Sequence, residues 1–67
     1  MPIIRVEMFK GRTAEQKSKL VSELTKGFIK TCGGDPKGLA IVITEVETEN
    51  WGVSGELVSD IHARKNK

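Results

Sequence analysis

A capping box divides the first half of this chain into two unlike periodicities, and that division limits the folds open to it. Before the box, residues 2–9 (Pro-Ile-Ile-Arg-Val-Glu-Met-Phe) alternate as a strand does. Ile4, Val6 and Met8 share one face, and Ile3, Arg5, Glu7 and Phe9 share the other. Lys10-Gly11-Arg12 is a turn. Thr13-Ala14-Glu15-Gln16 then sets a hydroxyl at the N-cap and an amide three residues on, the reciprocal pattern that satisfies orphan N–H groups at a helix start. Beyond it the spacing is helical. Leu20, Val21, Leu24, Phe28, Ile29 and Cys32 make one apolar stripe, with Lys17, Lys19, Glu23, Lys26 and Lys30 mostly away from it. Gly27 costs about 1 kcal/mol inside a helix and is expected to mark a close packing contact. Gly33-Gly34-Asp35-Pro36 ends the helix.

Residues 39–46 (Leu-Ala-Ile-Val-Ile-Thr-Glu-Val) read as a second strand, and their near-continuous apolar run predicts burial on both faces. Strand, helix, strand predicts a βαβ unit with parallel strands and a right-handed crossover. Residues 50–58 read as a short hairpin or an edge extension of the sheet, and residues 63–67 as a frayed tail. One helix covers only one face of a two-stranded sheet, so the other face needs a partner, most simply another copy of the chain. A chain this short usually needs a disulfide, a structural metal or oligomerisation. Cys32 is the only cysteine and His62 the only histidine, which excludes an internal disulfide and a closed Cys/His zinc site. The expectation is a single α/β domain over residues 1–67 that self-associates.

Charge narrows the function. Eleven Lys and Arg stand against nine Asp and Glu, a net charge of +2. Arg64, Lys65 and Lys67 crowd the tail while the other cations are spread among acids. With three aromatics in all (Phe9, Phe28, Trp51), the chain lacks the dense basic face and stacking platform of a nucleic-acid binder. Its longest apolar run, residues 39–43, is far short of the roughly 20 residues of a membrane span. With no secretory signal and one free cysteine, a cytoplasmic location is expected. Cys32, on the apolar stripe, reads as buried filler, and His62 as a surface residue. Glu45, Glu47 and Glu49 alternate as on a solvated edge. No phosphate-binding glycine loop or metal-ligand constellation occurs.

Met1-Pro2-Ile3-Ile4, followed by Gly11-Arg12-Thr13-Ala14-Glu15-Gln16-Lys17, resembles the 4-oxalocrotonate tautomerase family. The resemblance continues through Ile43-Thr44-Glu45-Val46 and Asn50-Trp51-Gly52-Val53-Ser54-Gly55-Glu56-Leu57, and so spans residues 2–60. It implies a βαβ subunit assembled as a hexamer, a trimer of dimers. It also implies keto–enol isomerisation of an unsaturated 2-oxo or 2-hydroxy acid such as 2-hydroxymuconate, with no cofactor or metal. Pro2 would be the catalytic group once Met1 is removed, Arg12 the anchor for a substrate carboxylate, and Trp51 the aromatic that closes the pocket. Phe9 and Ile3 would add apolar wall.

The chemistry suits these residue types. A proton moved between an enol oxygen and a carbon needs one group that acts as base and then as acid near neutral pH. A terminal amine starts at about 7.7–8.0, and apolar surroundings lower it further by disfavouring the charged form. Proline's ring also fixes the direction of the nitrogen lone pair. A guanidinium grips a carboxylate in bidentate geometry, and Arg12 sits beside a helix N-terminus, where a cation is otherwise misplaced. One departure stands out. Family enzymes suited to a dicarboxylate dienol carry a second arginine early in strand two, where this chain has Ala40. Arg5 and Lys37 are the nearby cations in sequence. The alternatives are therefore a tautomerase of simpler monoacid enols, a subunit of a mixed hexamer whose other chain supplies the arginine, a non-catalytic member, or a dehalogenase- or hydratase-like relative.

Overall fold

The computed structural model describes residues 1–65. β1 (Ile3–Phe9) leads into α1 (Ala14–Cys32), which returns the chain to β2 (Ala40–Val46). The two strands pair in parallel, with Ile3 opposite Ala40 and Phe9 opposite Val46. The expected strands and helix are thus present, each strand one residue shorter at its start than read from sequence. The capping box forms as predicted. Thr13 Oγ1 accepts from the Gln16 N–H at 3.1 Å, and Gln16 Oε1 accepts from the Thr13 N–H at 2.9 Å. At the other end Gly33, at φ 78°, donates its N–H to the Ile29 carbonyl at 2.9 Å, a left-handed turn-out that glycine adopts without steric cost.

α1 lies on the sheet face carrying Ile4, Val6 and Met8, which are half-buried, as are Leu20, Val21, Leu24, Phe28 and Ile29 of the helix. Lys17 crosses from the first turns of α1 to Glu45 on β2 at 2.8 Å, fixing the helix over that face. Two expectations fail here. Cys32 is exposed, because it falls in the last turn, where the stripe has run past the sheet. Gly27 is exposed too, and a Cβ there would meet nothing within 4 Å, so it makes no close contact within this chain.

After β2 a 3-10 turn, Thr48–Asn50, leads to Trp51 and then to a hairpin of β3 (Gly52–Val53) and β4 (Glu56–Leu57). Its turn residues, Ser54 and Gly55, both have positive φ (52° and 81°), the backbone that suits a two-residue hairpin loop. The chain does not fray at Ala63. α2 (Val58–Lys65) continues through it, and Arg64 reaches back to pair with both Glu56 oxygens. A cation in the last turn also complements the helix dipole. Residues 66 and 67 of the expected tail lie outside the described residues.

The opposite sheet face is open. Ile3 is 52% exposed and Val42 40%, and Val58 is the only buried residue among those described. The predicted burial of β2 on both faces is therefore not achieved within one chain. The radius of gyration is 15.8 Å, against about 11 Å for a compact domain of this length. The accessible surface of 5248 Å² exceeds by about 1,000 Å² what a folded monomer of this mass shows.

Candidate active site

Three of the expected site residues meet at the C-terminal end of β1. Phe9 closes the strand, and the Trp51 ring packs edge-on against it, with centroids 4.6 Å apart and planes at 70°. Gly11, at φ 123°, reverses the chain in a conformation a side chain would strain. That reversal brings Arg12 back so that its Nη1 donates to the Phe9 carbonyl at 3.2 Å. The bond uses one of five guanidinium N–H donors, and Arg12 is exposed, leaving the others open to a ligand. Beside the aromatic pair is a cavity of about 260 Å³ lined by Glu7, Val46, Asn50, Trp51 and Gly52. Lys10–Glu47 at 2.7 Å and Lys17–Glu45 at 2.8 Å link the neighbouring elements. The hydrogen bond from Lys17 holds the Glu45 carboxyl below its ordinary range against partial desolvation, with Lys10 and Arg12 adding attraction. Glu45 and Glu47 thus already have cationic partners, whereas Glu7 on the cavity lining has none among the described residues.

Pro2, Ile3 and Ala40 meet at the other end. The Pro2 carbonyl accepts from the Ala40 N–H at 3.1 Å, and Ile3 stands directly opposite Ala40. Pro2 is exposed, and Met1 before it is 88% exposed. Seven strand residues at about 3.3 Å each put Pro2 roughly 23 Å from the Phe9–Trp51 pair. One subunit therefore holds the two halves of the expected site at opposite ends of β1. Of the two cations considered as substitutes for an arginine at position 40, Arg5 shares the sheet face of Ala40 and stands opposite Val42. Lys37 is exposed in the 3-10 turn Pro36–Gly38.

Sequence reasoning missed Glu7, Val46, Asn50 and Gly52 as cavity residues. Only Glu7 carried a signal, as a carboxylate on a strand face otherwise mostly apolar. Nothing in the sequence says that Trp51 returns to that face. Among the described residues, no three His, Cys, Asp or Glu side chains converge as a metal site, and His62 is exposed on α2.

Comparison with known proteins gives this geometry a context. The sequence profile of the family described as "Tautomerase enzyme" matches residues 2–61. "Probable tautomerase K2" of Dickeya dadantii is 41% identical over 61 residues, covering 90% of this chain and 91% of that protein. "Probable tautomerase SSP1389" of Staphylococcus saprophyticus is 40% identical over 60 residues, covering 90% and 98%. A structure of the 4-oxalocrotonate tautomerase isozymes from Methylibium petroleiphilum superposes with a TM-score of 0.90 at 32% identity, covering 94% of this chain and 98% of that one. With the profile matching nearly the whole chain and the βαβ unit superposing on solved relatives, this chain belongs to the tautomerase family and has the 4-oxalocrotonate tautomerase fold.

Proposed function

We propose that this chain is a keto–enol tautomerase of an unsaturated 2-hydroxy or 2-oxo acid, working through the amine that Pro2 presents once Met1 is removed. The enol O–H gives its proton to the Pro2 nitrogen as the carbonyl forms. The resulting ammonium returns a proton to carbon at the far end of the conjugated system. Arg12 holds the substrate carboxylate, and Phe9 and Trp51 keep the reacting end dry. The observation that carries this reading is an open cation, Arg12, bonded to the Phe9 carbonyl beside an aromatic pair and a cavity, at the far end of the strand that Pro2 precedes. Because the two halves stand at opposite ends of that strand, the working site takes Pro2 from one copy and Arg12, Phe9 and Trp51 from another. The extended chain and its open sheet face support such an assembly, and a hexamer built as a trimer of dimers is the form proposed.

The test is turnover of phenylenolpyruvate and 2-hydroxymuconate by the purified chain. Pro2→Ala is expected to reduce kcat by roughly 10²–10⁴-fold, the usual contribution of a positioned acid–base group, with assembly unchanged. Equal rates for wild type and variant would end the reading. Ala40 favours a second reading, that the chain works best beside a paralogous subunit that supplies an arginine. Turnover appearing only on addition of that subunit would support it. Glu7 on the cavity wall is the acid that a hydratase-like relative would use to activate water, and release of a hydrated product would mark that outcome.

A further inference from the structure

The segment that carries Trp51 is made of pieces too small to hold the ring by themselves. The ring is half-buried against Phe9, and the Trp51 N–H reaches the Thr48 carbonyl only at 3.4 Å. The β3–β4 hairpin that follows has two residues per strand, and an isolated hairpin is marginal at best in water. α2 has eight residues, fewer than the roughly 12–15 below which an isolated helix is marginal. Each piece therefore depends on its bonds to the others. Val58, the first residue of α2 and the only buried one among those described, donates its N–H to the Trp51 carbonyl at 2.9 Å. That bond carries the ladder of Val53–Glu56 and Gly52–Leu57 one step further. In the last turn of α2, Arg64 grips both oxygens of Glu56 on β4, with Nη2 to Oε2 at 3.1 Å. Asp60, one turn earlier, adds attraction to Arg64. α2 also packs on the turn Thr48–Asn50, and Lys10, just past β1, holds Glu47 before that turn at 2.7 Å.

We propose that Glu56 and Arg64 are positioning residues for the proton-transfer site, clasping β4 to the last turn of α2 so that Val58 stays bonded to the Trp51 carbonyl and the indole stays against Phe9. A bidentate guanidinium–carboxylate pair suits this work because it fixes direction as well as distance. The pair closes a loop that starts and ends beside Trp51: hairpin out, helix back. Opening it frees α2 to fray from its last turn, and fraying that reaches Val58 removes the bond on the Trp51 carbonyl. The ring then swings away from Phe9 and admits water to the reacting end, weakening every electrostatic interaction there. The inference rests on the reading of Trp51 as the aromatic that keeps that end dry. It extends the site to two residues that touch neither substrate nor Pro2.

Trp51 is the only tryptophan and the chain has no tyrosine, so intrinsic emission reports on that ring alone. The test reads its emission maximum and acrylamide quenching in full-length Arg64→Ala and Glu56→Ala, with the assembled mass checked by sedimentation. Each variant should shift emission to the red and raise quenching roughly two- to fivefold, the range open to an ion pair near the surface. kcat for phenylenolpyruvate should fall by a similar factor, while KM, set by the untouched Arg12, stays. The double variant E56A/R64A should be no worse than the worse single, because both act through one contact. Arg64→Lys, which keeps the charge but loses the fork, should fall between wild type and Arg64→Ala, and it carries the test if an alanine variant does not assemble. Unchanged emission in the single variants, effects that add in the double, or a loosened ring with undiminished kcat would each overturn the proposal. Pro2→Ala separates it from the proposed function. A ring that loosens in a chain without Pro2-dependent turnover would remove that function and leave the clasp, whereas Pro2-dependent turnover with emission indifferent to Arg64 would do the reverse.

Discussion

At the scale of single residues, Arg12 is an open cation at the Phe9–Trp51 end of the subunit, and position 40 at the other end carries none. Arg12 keeps most of its donors free, and Ala40, opposite Ile3 and bonded through its N–H to the Pro2 carbonyl, brings no charge to the Pro2 end. Arg12 is proposed to hold the substrate carboxylate, and truncating one partner of a buried hydrogen-bonded charge pair costs about 2–5 kcal/mol. Arg12→Ala should therefore lower kcat/KM by roughly 10²-fold or more, much of it through KM if the guanidinium serves as an anchor. Ala40→Arg should raise turnover of 2-hydroxymuconate about tenfold, some 1.4 kcal/mol of barrier, and leave a monoacid enol nearly unaffected. The ratio of the two substrates' kcat/KM values checks this, and an unchanged ratio would mean that another cation already serves that position. Pro2 and Arg12 could be proposed from sequence because the chemistry asked of them is carried by residue type. Glu7 and Asn50 could not, since their place beside Trp51 depends on a turn the sequence does not specify.

At the scale of elements, α1 is held by its cap and by one cross-element ion pair. Thr13→Ala removes the hydroxyl that accepts from the Gln16 N–H and should lower stability by about 1 kcal/mol, seen as a lower melting temperature with activity retained. Two carboxylates make the fold sensitive to acid. Lys17 holds Glu45, and Arg64 holds Glu56, below the ordinary range by hydrogen bonding. A group whose folded pKa is depressed binds its proton more weakly when folded. Its contribution is therefore complete above the unfolded value and is lost as pH falls through the folded one. The melting temperature should be flat near neutrality and decline in acid, and Glu45→Gln should flatten part of that decline. The effect is small because these pairs are largely solvated. Lys10 is raised by its bond to Glu47, so its own contribution runs in the opposite sense and is lost as alkaline pH passes the raised value. The capping box was legible because it is local. The helical reach of α2 was not, because its last turn is tied to Glu56 of β4 by Arg64, a contact eight residues apart that no short motif announces.

At the scale of the whole molecule, this fold is unfinished as a single chain. Its extents of 49 × 25 × 16 Å and its half-exposed sheet face leave little interior, and small domains without disulfides or metals are marginal alone. Stability should therefore depend on concentration, as it does for any assembly whose folded state is completed by association. A melting temperature that rises over a hundredfold range of protein concentration would bear this out, and one independent of concentration would contradict it. Small-angle scattering should give a particle several times the chain mass.

The sequence alone determined the order of elements, the two strand faces and the helix start, and it pointed to Pro2 and Arg12 as the candidate site residues. Each of these is written in spacing over a few neighbouring residues, where sterics and local hydrogen bonds decide. Tertiary structure decided that Pro2 and Arg12 lie a strand length apart and that Trp51 folds back onto Phe9. These are distances between segments remote in the chain, set by the direction of the strands and the way the hairpin returns, and no local pattern encodes them.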